Sequence, residues 1–163
     1  MSAFPEPFSF VALDVCHRQM QMHLAELAAL VRQMETSGVD AKVQRQAGAI
    51  EAFFSSAARQ HHDEEEKNVF PALLISGNAE LMAVVHALHQ DHGWIEENWL
   101  ELGPQLRAIA MGNNWFDNDE FKHAAEVFLM LCQEHIALEE SLVYPEAKAR
   151  LAQSVANRVK RVP

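Results

Sequence analysis

HHDEEEKNVFP, residues 61–71, is the stretch from which both the fold and the chemistry of this chain can be read. It holds two histidines and four acidic residues within eleven positions. On a helix, residues three or four positions apart share a face, so two pairs compete for the inward side. One pair is His61 with Glu65, and the other is His62 with Glu66.

The composition of the two helical rows decides between these pairs. The row through the first pair is Ile50, Phe54, Ala57, His61, Glu65 and Val69. The row through the second pair is Glu51, Ser55, Arg59, His62 and Glu66. An apolar row faces a core, whereas a charged row faces water. We therefore predict that His61 and Glu65 point inward. We predict that His62 and Glu66 point toward solvent.

The same motif occurs a second time near the other end of the chain. HIALEESLVYP, residues 135–145, aligns on the first stretch without a gap. Both read His, three residues, Glu-Glu, two residues, Val, aromatic, Pro. His135 and Glu139 therefore take the positions of the inward pair. Their helical row is otherwise apolar and consists of Phe121, Ala125, Phe128, Leu131, His135, Glu139 and Leu142.

Two further histidines interrupt apolar rows on the helices that precede these motifs. The first row is Leu13, His17, Met20, Leu24, Leu27, Val31 and Met34. The second row is Leu81, Val85, Leu88, His92, Ile95, Trp99 and Leu102. His17 precedes His61 by 44 residues. His92 precedes His135 by 43 residues. The chain thus looks like two copies of one helix pair, each with a histidine on its first helix and His-x-x-x-Glu on its second.

The helical periodicity extends through most of the chain and predicts an all-α fold. The first predicted helix runs from about 8 to 34 and the second from about 39 into the 70s. The third begins at about 79 and has a kink at Gly103-Pro104. The fourth runs from Asp117 past Tyr144-Pro145 toward a short basic tail with Arg158, Lys160 and Arg161. Asp117, followed three residues later by Glu120, is typical of a capping box. Four long helices with short connections predict an antiparallel, up-down-up-down four-helix bundle.

The composition favours one soluble domain. A chain of 163 residues can bury a substantial core, so we predict a single domain over residues 1–163, with the bundle at about 8–150. The net charge of −10 argues against nucleic acid or a membrane as partner. The sequence shows no signal-peptide pattern and no apolar run of membrane-spanning length. Because the two cysteines are expected to be reduced thiols, we expect a cytoplasmic protein.

The bundle would bring four imidazoles and two carboxylates into one apolar interior. Burying a carboxylate without a partner is costly. Cations between the two carboxylates would remove that cost, so we predict a metal site. The predicted ligands are His17, His61, Glu65, His92, His135 and Glu139. Imidazole with carboxylate favours iron, and manganese or zinc are the alternatives.

The paired motifs, with their Phe-Pro and Tyr-Pro endings, resemble the hemerythrin-like, or HHE cation-binding, domain family. The resemblance covers about residues 8–150 and implies a four-helix bundle around a non-haem di-iron centre. Carried over position by position, it places the family's ligands on the same six residues. We expect Glu65 and Glu139 to bridge two ions, with two histidines on each ion. With an oxo or hydroxo bridge, each iron would have about five ligands and keep room for a small molecule.

Two positions depart from the oxygen-carrying members of this family. Those proteins have a histidine four residues before the one that matches His92, where this chain has Leu88. They also have an aspartate five residues after the one that matches His135. Here Glu139 follows by four residues and Glu140 by five. The sequence is therefore more similar to the iron–sulfur-cluster repair proteins and related HHE proteins than to the oxygen carriers.

Three classes of function stay open from the sequence. The first is a sensor, store or binder whose metal pair takes small molecules such as dioxygen, peroxide or nitric oxide in iron or redox homeostasis. The second is an enzyme that repairs iron–sulfur clusters or reduces peroxide or nitric oxide, with an electron-transfer or iron-acceptor protein as partner. The third is a structural di-metal bundle. Whether there is turnover, and whether His89, Cys16 or Cys132 takes part in the site, also stays open.

Overall fold

The computed structural model describes residues 8–161, which form helices and no strand. The elements are α1 (Phe10–Ser37), α2 (Ala41–Ser55), α3 (Ala57–Asn68), α4 (Phe70–Leu74), α5 (Ala79–Ala110), α6 (Asn118–Leu138), a π-helical turn (Glu139–Val143) and α7 (Tyr144–Lys160). The predicted all-α class is confirmed. Among residues 8–161, no helix combines the length and the apolar composition that a membrane span requires.

The long helices close a ring of contacts around one interior. α1 packs against α2 and α6, and α5 packs against the same two helices. This arrangement is that of a helix bundle. The alternating up-and-down direction of four helices and the extent of a single domain over residues 1–163 stay predictions. At two of the expected breaks, Gly38 and Gly112 have φ angles of 71° and 73°, which glycine adopts more readily than other residues.

The second predicted helix is interrupted twice. Ser56 separates α2 from α3, and its Oγ donates a hydrogen bond to the carbonyl oxygen of Ala52 at 2.6 Å. Such a bond competes with the helical hydrogen bonds and favours a bend. Val69 separates α3 from α4, and Pro71 lies in the first turn of α4. Because proline has no N–H to donate, it favours a new helix start at this point.

Helix α5 runs without interruption through Gly103 and Pro104 to Ala110, and the kink predicted at these two residues stays a prediction. Pro104 cannot donate to the carbonyl oxygen of Leu100. Leu100 lies on the exposed side of α5, where water can supply the missing donor. The N-terminus of α6 is capped as expected, because Asp117 Oδ1 accepts from the N–H groups of Asp119 and Glu120.

A π-helical turn shifts the register at the end of α6. The N–H of Tyr144 donates to the carbonyl oxygen of Glu139, five residues earlier. A π turn inserts one residue relative to an α-helix, so the residues beyond it change face. Leu142, predicted to point inward, is 50% exposed, whereas Val143 and Tyr144 are buried. The prediction for Leu142 was therefore wrong. Pro145 favours this break because it offers no N–H to Ser141.

The predicted basic tail is helical rather than extended. Helix α7 continues to Lys160, so Arg158 and Lys160 belong to its last turn and Arg161 caps its end. The residues from 151 to 161 are exposed. This last part of α7 therefore extends the helix beyond the segment that contributes to the core.

Two apolar clusters fill the interior, and the predicted ligands lie between them. Leu13 and Leu88 belong to one cluster, whereas Met20 and Ile95 belong to the other. On α1, His17 lies between Leu13 and Met20. On α5, the second embedded histidine lies between Leu88 and Ile95. The bundle therefore has a polar layer enclosed by apolar side chains on both sides.

The π register can be tested with two neighbouring variants. Val143→Ala should lower the free energy of unfolding by roughly 2 kcal/mol, because it removes two buried methyl groups. Leu142→Ala, the matched control on the exposed side, should change it by less than about 0.5 kcal/mol. Urea denaturation of both variants measures the difference. A larger loss for Leu142→Ala would mean that α6 continues in α-helical register.

Candidate metal centre

The structure brings all six predicted ligands into the polar layer between the apolar clusters. Each is almost completely shielded from solvent, with exposed fractions of 7% or less. The six are His17 on α1, His61 and Glu65 on α3, His92 on α5, His135 on α6 and Glu139 at the start of the π turn. Together they form two overlapping groups of four residues.

The first group contains His17, His61, Glu65 and Glu139. One donor atom of each lies within 4.8 Å of those of the other three. His61 Nε2 is 2.7 Å from Glu65 Oε1, and His17 Nε2 is 3.6 Å from the same oxygen. His17 Nε2 is also 4.0 Å from Glu139 Oε2. The Nε2 atoms of both imidazoles therefore face a space that is bounded by one oxygen from each carboxylate.

The second group contains His92 and His135 together with the same two glutamates. Its donor atoms also lie within 4.8 Å of one another. His92 Nε2 is 3.2 Å from Glu65 Oε2 and 3.1 Å from His135 Nε2. His135 Nε2 is in close contact with Glu139 Oε1. Each glutamate thus directs one oxygen to each group, which is the arrangement needed to bridge two ions.

The electrostatics of the two glutamates fit bound cations. Glu65 Oε2 and both carboxylate oxygens of Glu139 have no hydrogen bond of regular geometry to any described residue, although an imidazole nitrogen lies within 4.0 Å of each. Burial and the neighbouring charge of Glu65 raise the pKa of Glu139 well above its usual range. Burial also acts to raise the pKa of Glu65, but the proximity of Glu139, His17, His61 and His92 outweighs burial and holds this pKa well below its usual range. These directions favour an ionised Glu65 beside a protonated Glu139 in the metal-free protein, and bound cations would replace that proton.

Comparison with known proteins agrees with this geometry. The family model described as the hemerythrin HHE cation-binding domain matches residues 10–147. The chain belongs to the hemerythrin HHE family. An uncharacterised protein of Haemophilus influenzae is 31% identical over 130 residues, which cover 80% of this chain and 73% of that protein.

Three carboxylates outside the two groups orient the imidazoles of this HHE domain. The Nδ1–H of His17 donates to Glu140 Oε1 at 3.2 Å, and that of His92 donates to Glu66 Oε1 at 3.0 Å. The Nδ1 of His135 is 3.4 Å from Asp91 Oδ2. These contacts fix the tautomer that leaves Nε2 free as a ligand atom.

The outer carboxylates connect the two halves of the HHE domain. Glu66 and Glu140 occupy equivalent positions in the two aligned motifs. Each contacts the embedded histidine of the other half. Glu66 was predicted to point toward solvent, but its side chain is only 33% exposed and reaches α5. The helical row indicates the direction of a side chain and not how far a long glutamate reaches toward a neighbouring helix.

His62 is the clearest departure from the predicted site. We predicted it to be solvated, but it is half-buried and stacks on the ring of His92 at 4.0 Å between centroids. Burial, followed by the proximity of His92, lowers its pKa well below the ordinary value. His62, His92 and His135 also have donor atoms within 4.8 Å of one another. His62 lies 100° around the helix from His61, and α5 covers this side of α3.

Tyr144 is a site residue that the sequence interpretation missed. Its hydroxyl donates to Glu65 Oε1 at 2.5 Å, and its ring stacks on His17 at 4.7 Å between centroids. Its counterpart in the first motif, Phe70, stacks on His92 at 5.6 Å. Burial and the charge of Glu65 raise the pKa of Tyr144. The signal was present in the aligned motifs, where a tyrosine replaces a phenylalanine.

His89, Cys16 and Cys132, whose participation in the site the sequence left open, lie outside the two groups of four. His89 is 63% exposed, and its Nε2 contacts Glu66 Oε1 at 3.2 Å. Cys16 is half-buried, and burial together with the charge of Glu65 raises its pKa to about 11. Cys132 is buried, which raises its pKa. Neither thiol belongs to a group of candidate metal ligands among residues 8–161, and the raised pKa favours the protonated thiol in the metal-free protein.

A largely apolar cavity adjoins the second group. Its volume is about 20 Å³, which is room for about one water-sized molecule. Its lining includes His62, His135, Met20, Phe54, Ala58, Ile95, Trp99, Phe128, Cys132 and Ile136. The exposed ion pair of Arg59 and Glu96 lines its solvent side.

The roles of Glu65 and Glu66 can be separated by metal content. Glu65→Ala should abolish metal binding, because it removes a carboxylate that both groups of four residues share. Glu66→Ala should weaken binding about 10- to 100-fold, because it removes the acceptor that orients His92. Asp63→Ala, an exposed change in the same turn, is the matched control and should have no effect. Competition against a chelator, followed by elemental analysis, measures these affinities, and equal losses for Glu65→Ala and Glu66→Ala would contradict the assignment.

The raised pKa of Glu139 predicts a pH dependence of the metal-free protein. The folded chain keeps a proton that the unfolded chain releases above its ordinary pKa of 4.5. The contribution of Glu139 to stability is therefore present below that pH and is lost as the pH rises toward the folded pKa. Glu139→Gln, which cannot ionise, should gain stability relative to wild type across this range, by at most about 1.4 kcal/mol per pH unit.

Urea denaturation of chelator-treated wild type and Glu139→Gln between pH 5 and 8 measures this difference. A stability gap that is independent of pH would show that Glu139 is already ionised in the folded protein.

Proposed function

We propose that this HHE domain binds two iron ions. The ion pair binds or reacts with small molecules such as dioxygen, peroxide or nitric oxide. Its role is sensing, storage, or iron and redox homeostasis. The observation that carries the proposal is the sharing of Glu65 and Glu139 between two pairs of histidines, with one carboxylate oxygen directed to each side. The free cysteines, Cys16 and Cys132, fit the cytoplasmic location expected from the sequence.

The roles of the residues follow from their positions. His17 and His61 would hold one ion, and the second histidine pair would hold the other. Glu65 and Glu139 would span both ions and balance their charge. An iron pair, when bound, supplies two adjacent centres that can change oxidation state and accept electron pairs. The chain itself fixes the imidazole orientations through the outer carboxylates and excludes bulk water with its two apolar clusters.

The apolar cavity favours a small-molecule role over a structural one. A bundle that needed metal only for stability would gain from close packing around the site. Here a largely apolar cavity leads to His62 and His135. Its lining suits a small uncharged molecule, whereas an ion entering it would lose hydration. His62, held neutral by its lowered pKa, could accept a hydrogen bond at the inner wall.

The proposal predicts a stoichiometry and a spectral response. The protein reconstituted with ferrous iron under argon should contain two ions per chain by elemental analysis. Its absorption spectrum should change on addition of nitric oxide, peroxide or air. The double variant Glu65→Ala/Glu139→Ala serves as the control without bridging ligands and should bind neither ion.

The outcomes separate the competing functions. One ion or none per chain would contradict the di-iron site. Two ions with no spectral response to any of the three small molecules would support the structural bundle instead. Retention of manganese in preference to ferrous iron from an equimolar mixture would contradict iron as the metal, because it reverses the usual order of affinities.

A further inference from the structure

The hydroxyl group of Tyr144 lies among the ligand atoms of the first group. Its oxygen is 2.5 Å from Glu65 Oε1, 3.2 Å from His17 Nε2 and 3.3 Å from His61 Nε2. The side chain is 2% exposed. A single carboxylate acceptor would explain the first contact but not the simultaneous approach to two imidazole nitrogens.

These distances are those expected between ligands of one ion. Ligand atoms about 2.1 Å from a metal and at right angles to each other lie about 3 Å apart. The three distances from the Tyr144 oxygen fall around this value. The distance from His61 Nε2 to Glu65 Oε1, 2.7 Å, falls in the same range. The phenol oxygen thus belongs geometrically to the same set of donor atoms.

The second group has no equivalent donor from the aligned position. Phe70 takes the place of Tyr144 there and offers only a ring face to His92. The π-helical turn precedes Tyr144, whereas Phe70 follows α3 after a single residue. The two halves therefore differ in chemistry at the one aligned position where an aromatic ring approaches each histidine pair.

We propose that the Tyr144 oxygen is a direct ligand of the ion held by His17 and His61 when that ion is ferric. This assignment rests on the proposed function. The O–H bond of Tyr144 breaks on binding, an oxygen lone pair is shared with the ion, and the proton leaves to solvent. On the other side Phe70 offers no donor atom, and the further imidazole near His92 and His135, that of His62, lines the apolar cavity. The two ions are consequently unequal, and small molecules bind at the ion held by His92 and His135.

The test uses the spectrum of the fully oxidised protein. A phenolate bound to ferric iron gives a charge-transfer band in the visible region. Excitation into that band enhances tyrosinate ring vibrations in the Raman spectrum. Because Tyr144 is the single tyrosine of the chain, such vibrations in wild type identify it without any variant. Tyr144→Phe, which copies the residue of the other half, should lose the band completely and retain two irons.

Proton release gives a second readout that is independent of the spectrum. Wild type should release one more proton per chain than Tyr144→Phe when it takes up ferric iron in weakly buffered solution. Phe70→Leu removes the ring beside the other histidine pair and is the matched control. It should keep both the band and the wild-type proton count.

The outcomes distinguish this assignment from the function on which it rests. A wild-type protein that binds no iron overturns both. Two irons per chain with identical spectra and proton counts in wild type and Tyr144→Phe overturn only the role of Tyr144, and leave its hydroxyl as a hydrogen-bond donor to Glu65. A band that Phe70→Leu removes and Tyr144→Phe retains also overturns it.

Discussion

The apposition of two buried carboxylates is the constraint on which the rest of this structure depends. Glu65 and Glu139 are fully shielded from solvent and lie in the same polar layer. Two ionised carboxylates in an apolar interior repel each other and lose their hydration. Four imidazoles surround them, and outer carboxylates orient three of those rings. The apolar clusters above and below can close around this layer because its charges have partners within it.

Much of this arrangement could be predicted from the sequence because it is periodic. Each of the six ligand candidates lies on an apolar helical row. The sequence alone therefore predicts that these polar residues are buried. The repeated motif independently indicated that His61 and Glu65 point toward the interior. The all-α class followed from the same periodicity. These features depend on local geometry, which residue spacing determines.

The features that the sequence interpretation missed depend on contacts between helices or on departures from regular geometry. The π turn moves Val143 inward and Leu142 outward, and a row drawn with α-helical spacing cannot show this. His62 is buried by stacking on a ring of α5. The side chain of Glu66 is long enough to contact the same neighbouring helix, at His92. Tyr144 was visible as a difference between the two motifs, but its contact with Glu65 required the fold.

The contacts that cross between the two halves have a consequence for how such a centre can be assembled. Glu66 of the first half orients the histidine of the second, Glu140 does the reverse, and each motif's aromatic ring stacks on the other half's histidine. An isolated helix pair would thus contain three of the six candidate ligands and would lack the glutamate, Glu140 or Glu66, that orients its embedded histidine. It could complete a centre only by associating with a second pair, at a rate and yield set by concentration. Covalent linkage of the two pairs makes assembly an intramolecular event and allows the aligned positions to carry different residues, such as Phe70 and Tyr144.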